Sequence, residues 1–123
     1  MKQQTILIVD DEPTWLKLLG RFFACNGYKV LTSPSCARAI KAVRLNSPDC
    51  VVLDFHLSDG DAAAVCAEIR AREGRRIPIV IFSSDPEAED CVGGECRADR
   101  FILKITPLEK LLAAVNELLA AAE

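Results

Sequence analysis

Four short apolar runs, each followed at once by polar or charged residues, constrain the fold of this chain more than any other feature. The runs are 5–9, 50–53, 79–82 and 101–103, and they lead into Asp10-Asp11-Glu12, Asp54, Ser83-Ser84 and Lys104. Short continuous apolar runs are typical of strands that are buried on both faces of a parallel sheet. The carboxyl ends of such strands meet at one edge, where ligands bind. We therefore expect these polar residues to converge on one crevice.

The segments between the runs have the spacing of helices. Pro13 suits the first turn of a helix, because the N–H group that proline lacks would have no partner there. A further strand is predicted at 28–32, a helix at 62–72, and a last helix whose leucine-rich stripe begins at Leu108. Strands that alternate with helices imply right-handed crossovers and a parallel sheet. The sequence therefore predicts an α/β fold: a flavodoxin-like, doubly wound, five-stranded parallel sheet in the order 2-1-3-4-5, with five helices.

The fourth of these helices is expected to be short or irregular. Gly93 and Gly94 interrupt residues 85–97, where this helix should lie. Two glycines cost roughly 1–2 kcal/mol relative to alanine inside a helix.

The residue types at the predicted crevice indicate a particular chemistry. The carboxylates of Asp10, Asp11 and Asp54 suit a divalent cation, since Mg²⁺ prefers oxygen ligands. The hydroxyl of Ser83 and the ammonium of Lys104 suit an anion beside that cation. The sequence therefore predicts a site for metal-assisted phosphoryl chemistry.

The same residues resemble a known family. Residues 6–13, with the sequence Ile-Leu-Ile-Val-Asp-Asp-Glu-Pro, resemble the opening of a two-component response regulator receiver domain. Residues 51–54 resemble the phospho-acceptor strand of that family, and Ser83 and Lys104 match its hydroxyl and lysine positions. The similarity extends from Ile6 to about Leu119.

This resemblance implies a role for each site residue. Asp54 would accept the phosphoryl group, and Mg²⁺ would be held by Asp10, Asp11, Asp54 and the backbone carbonyl of His56. Lys104 and Ser83 would contact the phosphoryl oxygens. As Ser83 engages the phosphoryl group, the aromatic ring of Phe101 would swing inward and switch the signalling face.

The resemblance also implies partners and organisation. The phosphoryl donor would be a sensor histidine kinase or a histidine phosphotransfer protein, and the chain would be a signalling module, not an enzyme. We expect a single receiver domain over residues 1–123, without an output domain, that is a monomer or weak dimer. Two alternatives stay open: an interaction module that works without phosphorylation, and a receiver fragment of a larger regulator or hybrid kinase. A flavin-binding protein is disfavoured, because Asp10-Asp11-Glu12 would repel a bare phosphate.

Three positions depart from the family pattern near the predicted site. Ile105 replaces the usual proline after the lysine, Ser58 replaces a proline after the phospho-acceptor, and Ala62 replaces a glycine. A cis bond before Ile105 would cost about 2.5–4 kcal/mol, so we expect the Lys104–Ile105 bond to be trans.

Charge and composition exclude several classes of function. Fifteen basic and eighteen acidic residues give a net charge of −3, whereas nucleic-acid binding usually needs a basic face. The arginine-rich stretch Arg70, Arg72, Arg75 and Arg76 is expected to be a solvated turn. No run approaches the length of a membrane span, so we expect no membrane contact and a cytoplasmic location.

Cys25, Cys36, Cys50 and Cys66 are expected to fill space as small apolar side chains.

Overall fold

A parallel sheet forms the centre of the computed structural model, which describes residues 3–72, 74, 76–94 and 96–122. Its strands are β1 (Thr5–Val9), β2 (Lys29–Ser33), β3 (Cys50–Leu53), β6 (Ile79–Ser83) and β7 (Arg100–Leu103). They lie in the order β2-β1-β3-β6-β7, and every neighbouring pair is parallel. The strands β4 (His56–Leu57) and β5 (Gly60–Asp61) form a separate antiparallel hairpin after β3. Counted without the hairpin, the order is 2-1-3-4-5, which confirms the predicted fold.

Helices cover both faces of the sheet: α1 (Pro13–Cys25), α2 (Cys36–Asn46), α3 (Ala62–Ala71) and α4 (Leu108–Ala122). Because successive strand residues point to opposite faces, each strand contributes to two cores. One core joins alternate strand residues to α1 and α4, through side chains such as Phe23 and Val115. The other joins the remaining strand residues to α2 and α3, through side chains such as Val43 and Ile69. No helix among the described residues is long and apolar enough to cross a membrane.

The fourth predicted helix is a six-residue 3-10 helix, Pro86–Cys91, so the described chain has four α-helices where five helices were expected. Asp85 caps it by accepting a hydrogen bond from the backbone N–H of Glu87 at 2.9 Å. The backbone turns away after it, with Gly93 in the left-handed region at φ 72°. A Cβ atom on Gly94 would overlap the carbonyl oxygen of Asp90. The two glycines therefore permit a tight turn where a longer helix would have continued.

Arg70 corrects the prediction of a solvated arginine turn. Its side chain is only 12% exposed and pairs with Asp99 at 3.2 Å. The guanidinium also donates to the carbonyl oxygens of Ile77 and Arg97, at 2.7 and 2.9 Å. Asp99 in turn accepts from Arg76 at 2.6 Å. Arg70 thus joins α3 to the start of β7, while Arg75 lies outside the described residues.

Three of the four cysteines that were predicted to fill space are buried. Cys36, Cys50 and Cys66 are buried, whereas Cys25 is exposed at the end of α1, so the prediction for Cys25 is wrong. Burial raises the pKa of the Cys50 thiol to about 12. This thiol is neutral at physiological pH, as the role of a small core side chain requires.

Replacing Gly20 and Gly27 with alanine should change the free energy of unfolding in opposite directions. Gly27 has φ 94°, where a Cβ atom is strained, so Gly27→Ala should lower the free energy of unfolding by about 1–2 kcal/mol. Gly20 lies inside α1, and a Cβ there would meet only methyl carbons of Thr32 and Val30 at 3.9 Å. Gly20→Ala should therefore raise the free energy of unfolding by up to about 1 kcal/mol. Urea denaturation measures both, and a shift of the same sign in the two variants would contradict the assignment of the helix end.

Candidate functional site

The sheet itself fixes the backbone of the predicted site. The N–H of Asp10 donates to Ser33 O at 3.2 Å, and the N–H of Asp54 donates to Val9 O at 2.9 Å. The N–H of Lys104 donates to Ser83 O at 2.9 Å. Each hydrogen bond continues a strand ladder by one residue, so the three side chains start from rigid positions at the same edge. The sequence-predicted convergence of Asp10, Asp54 and Lys104 is therefore what the structure shows.

The ammonium of Lys104 lies between two carboxylates. Its Nζ is 2.8 Å from Asp10 Oδ2 and 3.3 Å from Asp54 Oδ2. All three residues are largely withdrawn from solvent: Asp10 is 1% exposed, Asp54 is 8% exposed, and the lysine side chain is 7% exposed. Charges are rarely buried without partners, because the loss of hydration is costly. One cation facing two buried carboxylates leaves an excess of negative charge at this edge.

Backbone N–H groups hold the other oxygen of each carboxylate. Asp10 Oδ1 accepts from the N–H of Glu12, and Asp54 Oδ1 accepts from the N–H of Phe55, both at 2.9 Å. With one oxygen on the backbone and one facing Lys104, each carboxylate is held in a single orientation. The site is therefore organised before any ligand arrives.

Burial shifts the pKa of the Asp54 carboxyl group and the pKa of the Lys104 ammonium in opposite directions. Burial raises the pKa of Asp54, the charge of Lys104 lowers it, and the charge of Asp10 raises it again; the net pKa is raised. For Lys104, burial lowers the pKa, but the hydrogen bonds and charges of Asp10 and Asp54 outweigh burial and raise it overall. Lys104 therefore stays charged throughout the physiological range.

A group of carboxylates at this edge suits a divalent cation. Oxygens of Asp10, Asp11 and Glu12 can lie within 4.8 Å of one another, and this is the one such group found among the described residues. A set made only of carboxylate oxygens is the kind that Mg²⁺ prefers. Asp10 and Asp11 were predicted as ligands, whereas Glu12 was not, although it belongs to the same acidic run. Asp54 lies outside this group and faces Lys104.

Ser83 is buried at the end of β6 and is held by the next loop. Its Oγ accepts a hydrogen bond from the N–H of Asp85 at 3.1 Å, and the residue is 1% exposed. The Asp85 carboxylate pairs with the ring of His56 at 2.7 Å. A hydrogen bond from that ring lowers the pKa of Asp85. The His56 ring is exposed, as expected, and the predicted role of its carbonyl stays a prediction.

The strand register refines the position of Phe101. Ser83 lies opposite Leu103, and Phe101 lies opposite Ile81, two residues before Ser83. Phe101 is half-buried and packs against the core on the α2 and α3 side. Ile81 and Ser83 point to the same face of the sheet because they are two residues apart. Phe101 is thus near Ser83 without being its direct partner.

Trp15, on α1, is a neighbour of the site that was not among the predicted site residues. The centroid of its ring is 5.1 Å from Lys104 Nζ, which is within the range of a cation–π contact. Periodicity cannot reveal such a contact, because it depends on how α1 packs against the sheet.

The loops that depart from the family pattern are ordered by local contacts. The Lys104–Ile105 bond is trans, as predicted, and Ile105 is 88% exposed. Ser58 lies at the tip of the β4–β5 hairpin, whose Asp59 accepts from the N–H groups of Cys36 and Ala37 at the start of α2. The loop beyond Asp54 is therefore tied to a neighbouring helix without the usual proline.

Comparison with known proteins identifies the family. A model of the response regulator receiver domain matches residues 6–116. The chain is 32% identical over 115 residues to the transcriptional regulatory protein PrrA of Mycobacterium tuberculosis, covering 93% of this chain and 49% of PrrA. It is 34% identical to the response regulator MprA of Mycobacterium sp. strain KMS, covering 93% of this chain and 50% of MprA. The chain thus spans about half the length of these curated relatives.

Solved structures give the same result. A two-component response regulator from Clostridium difficile superposes with a TM-score of 0.86 at 28% identity, covering 96% of this chain and 97% of that one. The response regulator TrrA of Thermotoga maritima, in complex with Mg²⁺-BeF, superposes with a TM-score of 0.85 at 25% identity, covering 94% and 99%. The family model matches most of the chain, and the polar residues of the site lie at one edge of the sheet. The chain therefore belongs to the response regulator receiver domains, the phospho-accepting signalling modules of two-component systems.

Proposed function

We propose that Asp54 of this chain accepts a phosphoryl group from the phosphohistidine of a sensor kinase or phosphotransfer protein. The observation that carries the proposal is the buried ammonium of Lys104 between Asp54 and Asp10, at 3.3 and 2.8 Å. A carboxylate nucleophile must approach an anionic phosphoryl group, so it needs positive charge that is already in place. Lys104, directly after β7, supplies that charge.

The chain's own residues can carry the transfer. An Asp54 carboxylate oxygen forms the bond to phosphorus as the P–N bond of the donor histidine breaks. The N–H of Phe55 keeps the carboxylate oriented, since it already donates to Oδ1. Lys104 then pairs with a phosphoryl oxygen as a point charge. The product is an acyl phosphate, which water can later hydrolyse.

Mg²⁺ fits the residues at this edge. Asp10 and Asp11 would hold the ion together with Asp54 and the backbone carbonyl of His56, and the carboxylate of Glu12 lies close enough to Asp10 and Asp11 to hold it with them. When bound, the ion offsets the repulsion between the carboxylates and the incoming phosphoryl group. The Mg²⁺-BeF complex of TrrA, a similar structure, supports this assignment.

We propose that the signal leaves the site through Ser83 and Phe101. Among the described residues, the one hydrogen bond at Ser83 Oγ is accepted from the N–H of Asp85, so its O–H is available to donate to a phosphoryl oxygen. Movement of Ser83 toward that oxygen would open space on the face where Ile81 and Phe101 lie opposite each other.

Ser83→Ala should therefore still accept the phosphoryl group but lose the response at Phe101. Beryllofluoride, which mimics the phosphoryl group, should shift the Phe101 ring signals in the wild type and leave them unchanged in Ser83→Ala. NMR spectra of both proteins with and without Mg²⁺ and beryllofluoride make the comparison. An equal shift in both proteins would show that the ring moves independently of Ser83.

The proposed function is tested by incubating the chain with Mg²⁺ and a small phosphodonor, such as acetyl phosphate or phosphoramidate. Mass spectrometry should show one added phosphoryl group, located at Asp54 after reductive trapping, and none when EDTA removes the metal. A folded chain that takes up no phosphoryl group would instead favour the alternative of a phosphorylation-independent interaction module.

A further inference from the structure

The Lys104 ammonium has a third neighbour, the ring of Trp15, which the proposed function does not use. Besides Asp10 and Asp54, the ammonium faces the ring of Trp15, 5.1 Å from its centroid. Tryptophan has the strongest cation–π attraction of the aromatic side chains, and the attraction grows when water is excluded. The lysine side chain is only 7% exposed, so this contact lies in a largely dry environment.

The ring of Trp15 is itself fixed. It makes an edge-to-face contact with Phe82, with centroids 5.3 Å apart and an interplanar angle of 85°. Phe82 is 1% exposed in the core between the sheet and α1. Trp15 also lies in the first turn of α1, two residues after Pro13. The face that Trp15 presents to Lys104 is therefore set by the core and not by solvent.

We propose that Trp15 is a positioning residue, which keeps the Lys104 ammonium at the mouth of the site while the charge of Asp54 changes. This inference rests on the proposed function. Before transfer, Asp54 and Asp10 both attract the ammonium. Transfer converts the Asp54 carboxylate into an acyl phosphate, so the charged oxygen at 3.3 Å is replaced by phosphoryl oxygens in new positions. Asp10 and the Trp15 ring remain, and together they keep a flexible four-carbon chain directed at the phosphoryl oxygens.

The test compares three variants with the wild type. Trp15→Leu removes the ring but keeps an apolar side chain, and Trp15→Phe restores an aromatic face. Phe22→Leu is the control: Phe22 lies on the same helix and packs against the same core, with its ring on Phe23. Each variant is checked for folding by circular dichroism, and its phosphorylation rate with acetyl phosphate and saturating Mg²⁺ is measured by mass spectrometry.

Trp15→Leu should be phosphorylated about fivefold more slowly than the wild type, the factor that corresponds to a cation–π contact of ordinary strength. Trp15→Phe should recover most of the rate, and Phe22→Leu should keep it. A second measurement reports the contact directly. The Hε protons of Lys104, assigned by their loss in Lys104→Arg, should be shifted upfield by the ring current in the wild type and Phe22→Leu, and not in Trp15→Leu.

The outcomes separate the two proposals. A wild type that accepts no phosphoryl group contradicts the proposed function. A wild type that accepts it while Trp15→Leu reacts at the same rate, or while Trp15→Phe is as slow as Trp15→Leu, overturns the role of Trp15 alone. If Trp15→Leu does not fold, the wild-type Lys104 shifts still decide, because an unshifted Lys104 signal in the wild type excludes the contact.

Discussion

Asp54→Asn should abolish phosphorylation and, without metal, make the folded domain more stable at neutral pH. Asparagine is isosteric with aspartate but has no carboxylate to form the acyl phosphate. The gain in stability follows from burial, which raises the pKa of Asp54 in the folded state. The folded chain then holds a proton at a pH at which the unfolded chain has released it. Stability of the wild type therefore falls as the pH rises from the ordinary carboxyl pKa through the raised one.

The loss of folding stability that the buried Asp54 carboxylate causes in the wild type persists at pH 7. The asparagine variant does not have this loss. We expect a gain on the order of 1 kcal/mol in the free energy of unfolding at pH 7, which shrinks toward zero as the pH falls into the acid range. Urea denaturation in EDTA across pH measures it, and mass spectrometry measures phosphorylation. Asp61→Asn is the matched control, because Asp61 is exposed in the neighbouring hairpin and asparagine caps α3 equally well. A destabilised Asp54→Asn would show that the Lys104 pair outweighs the burial of the carboxylate.

Lys104→Met should bind Mg²⁺ more tightly and be less stable without it. The ammonium lies 2.8 Å from Asp10 and 3.3 Å from Asp54, so it repels any cation bound beside these carboxylates. Removing one unit charge a few ångströms from a dication should tighten binding on the order of tenfold. Without metal, two buried carboxylates lose their cation, which should cost about 3 kcal/mol of folding stability.

Isothermal titration with Mg²⁺ and urea denaturation with and without the metal measure both effects. Saturating Mg²⁺ should restore much of the lost stability, because the ion binds only the folded site. Lys17→Met is the control: Lys17 is exposed on α1, and its loss changes the net charge by the same amount. Equal Mg²⁺ affinity in Lys104→Met and the wild type would mean that the metal binds away from Asp10 and Asp54.

The sequence predicted the position of a site residue wherever that position depends only on the strand before the residue. Asp10, Asp54 and Lys104 directly follow buried strands, and the edge of a parallel sheet brings such residues together whatever the loops do. Contacts between loops and helices could not be foreseen in this way. The His56–Asp85 pair spans 29 residues, and so does the Arg70–Asp99 pair.

The residues that sequence reasoning missed share this dependence on packing. The arginine-rich stretch was predicted to be a solvated turn, yet Arg70 pairs with Asp99, the residue directly before β7. The ring of Trp15 fits a helical stripe equally well with or without Lys104 beneath it. Local patterns therefore predicted which polar side chains meet at one edge of the sheet, and tertiary packing determined what surrounds them.

The backbone hydrogen bonds that hold Asp10, Asp54 and Lys104 have a consequence for dynamics. Since they extend the ladders of the central sheet, the amides of these residues should exchange with solvent more slowly than those of the surrounding loops. The loop after Ser83 and the 3-10 helix lie outside these ladders and can rearrange at lower free energy. The domain therefore combines a site whose backbone is held by the sheet with an adjoining segment that lies outside the ladders and can rearrange separately.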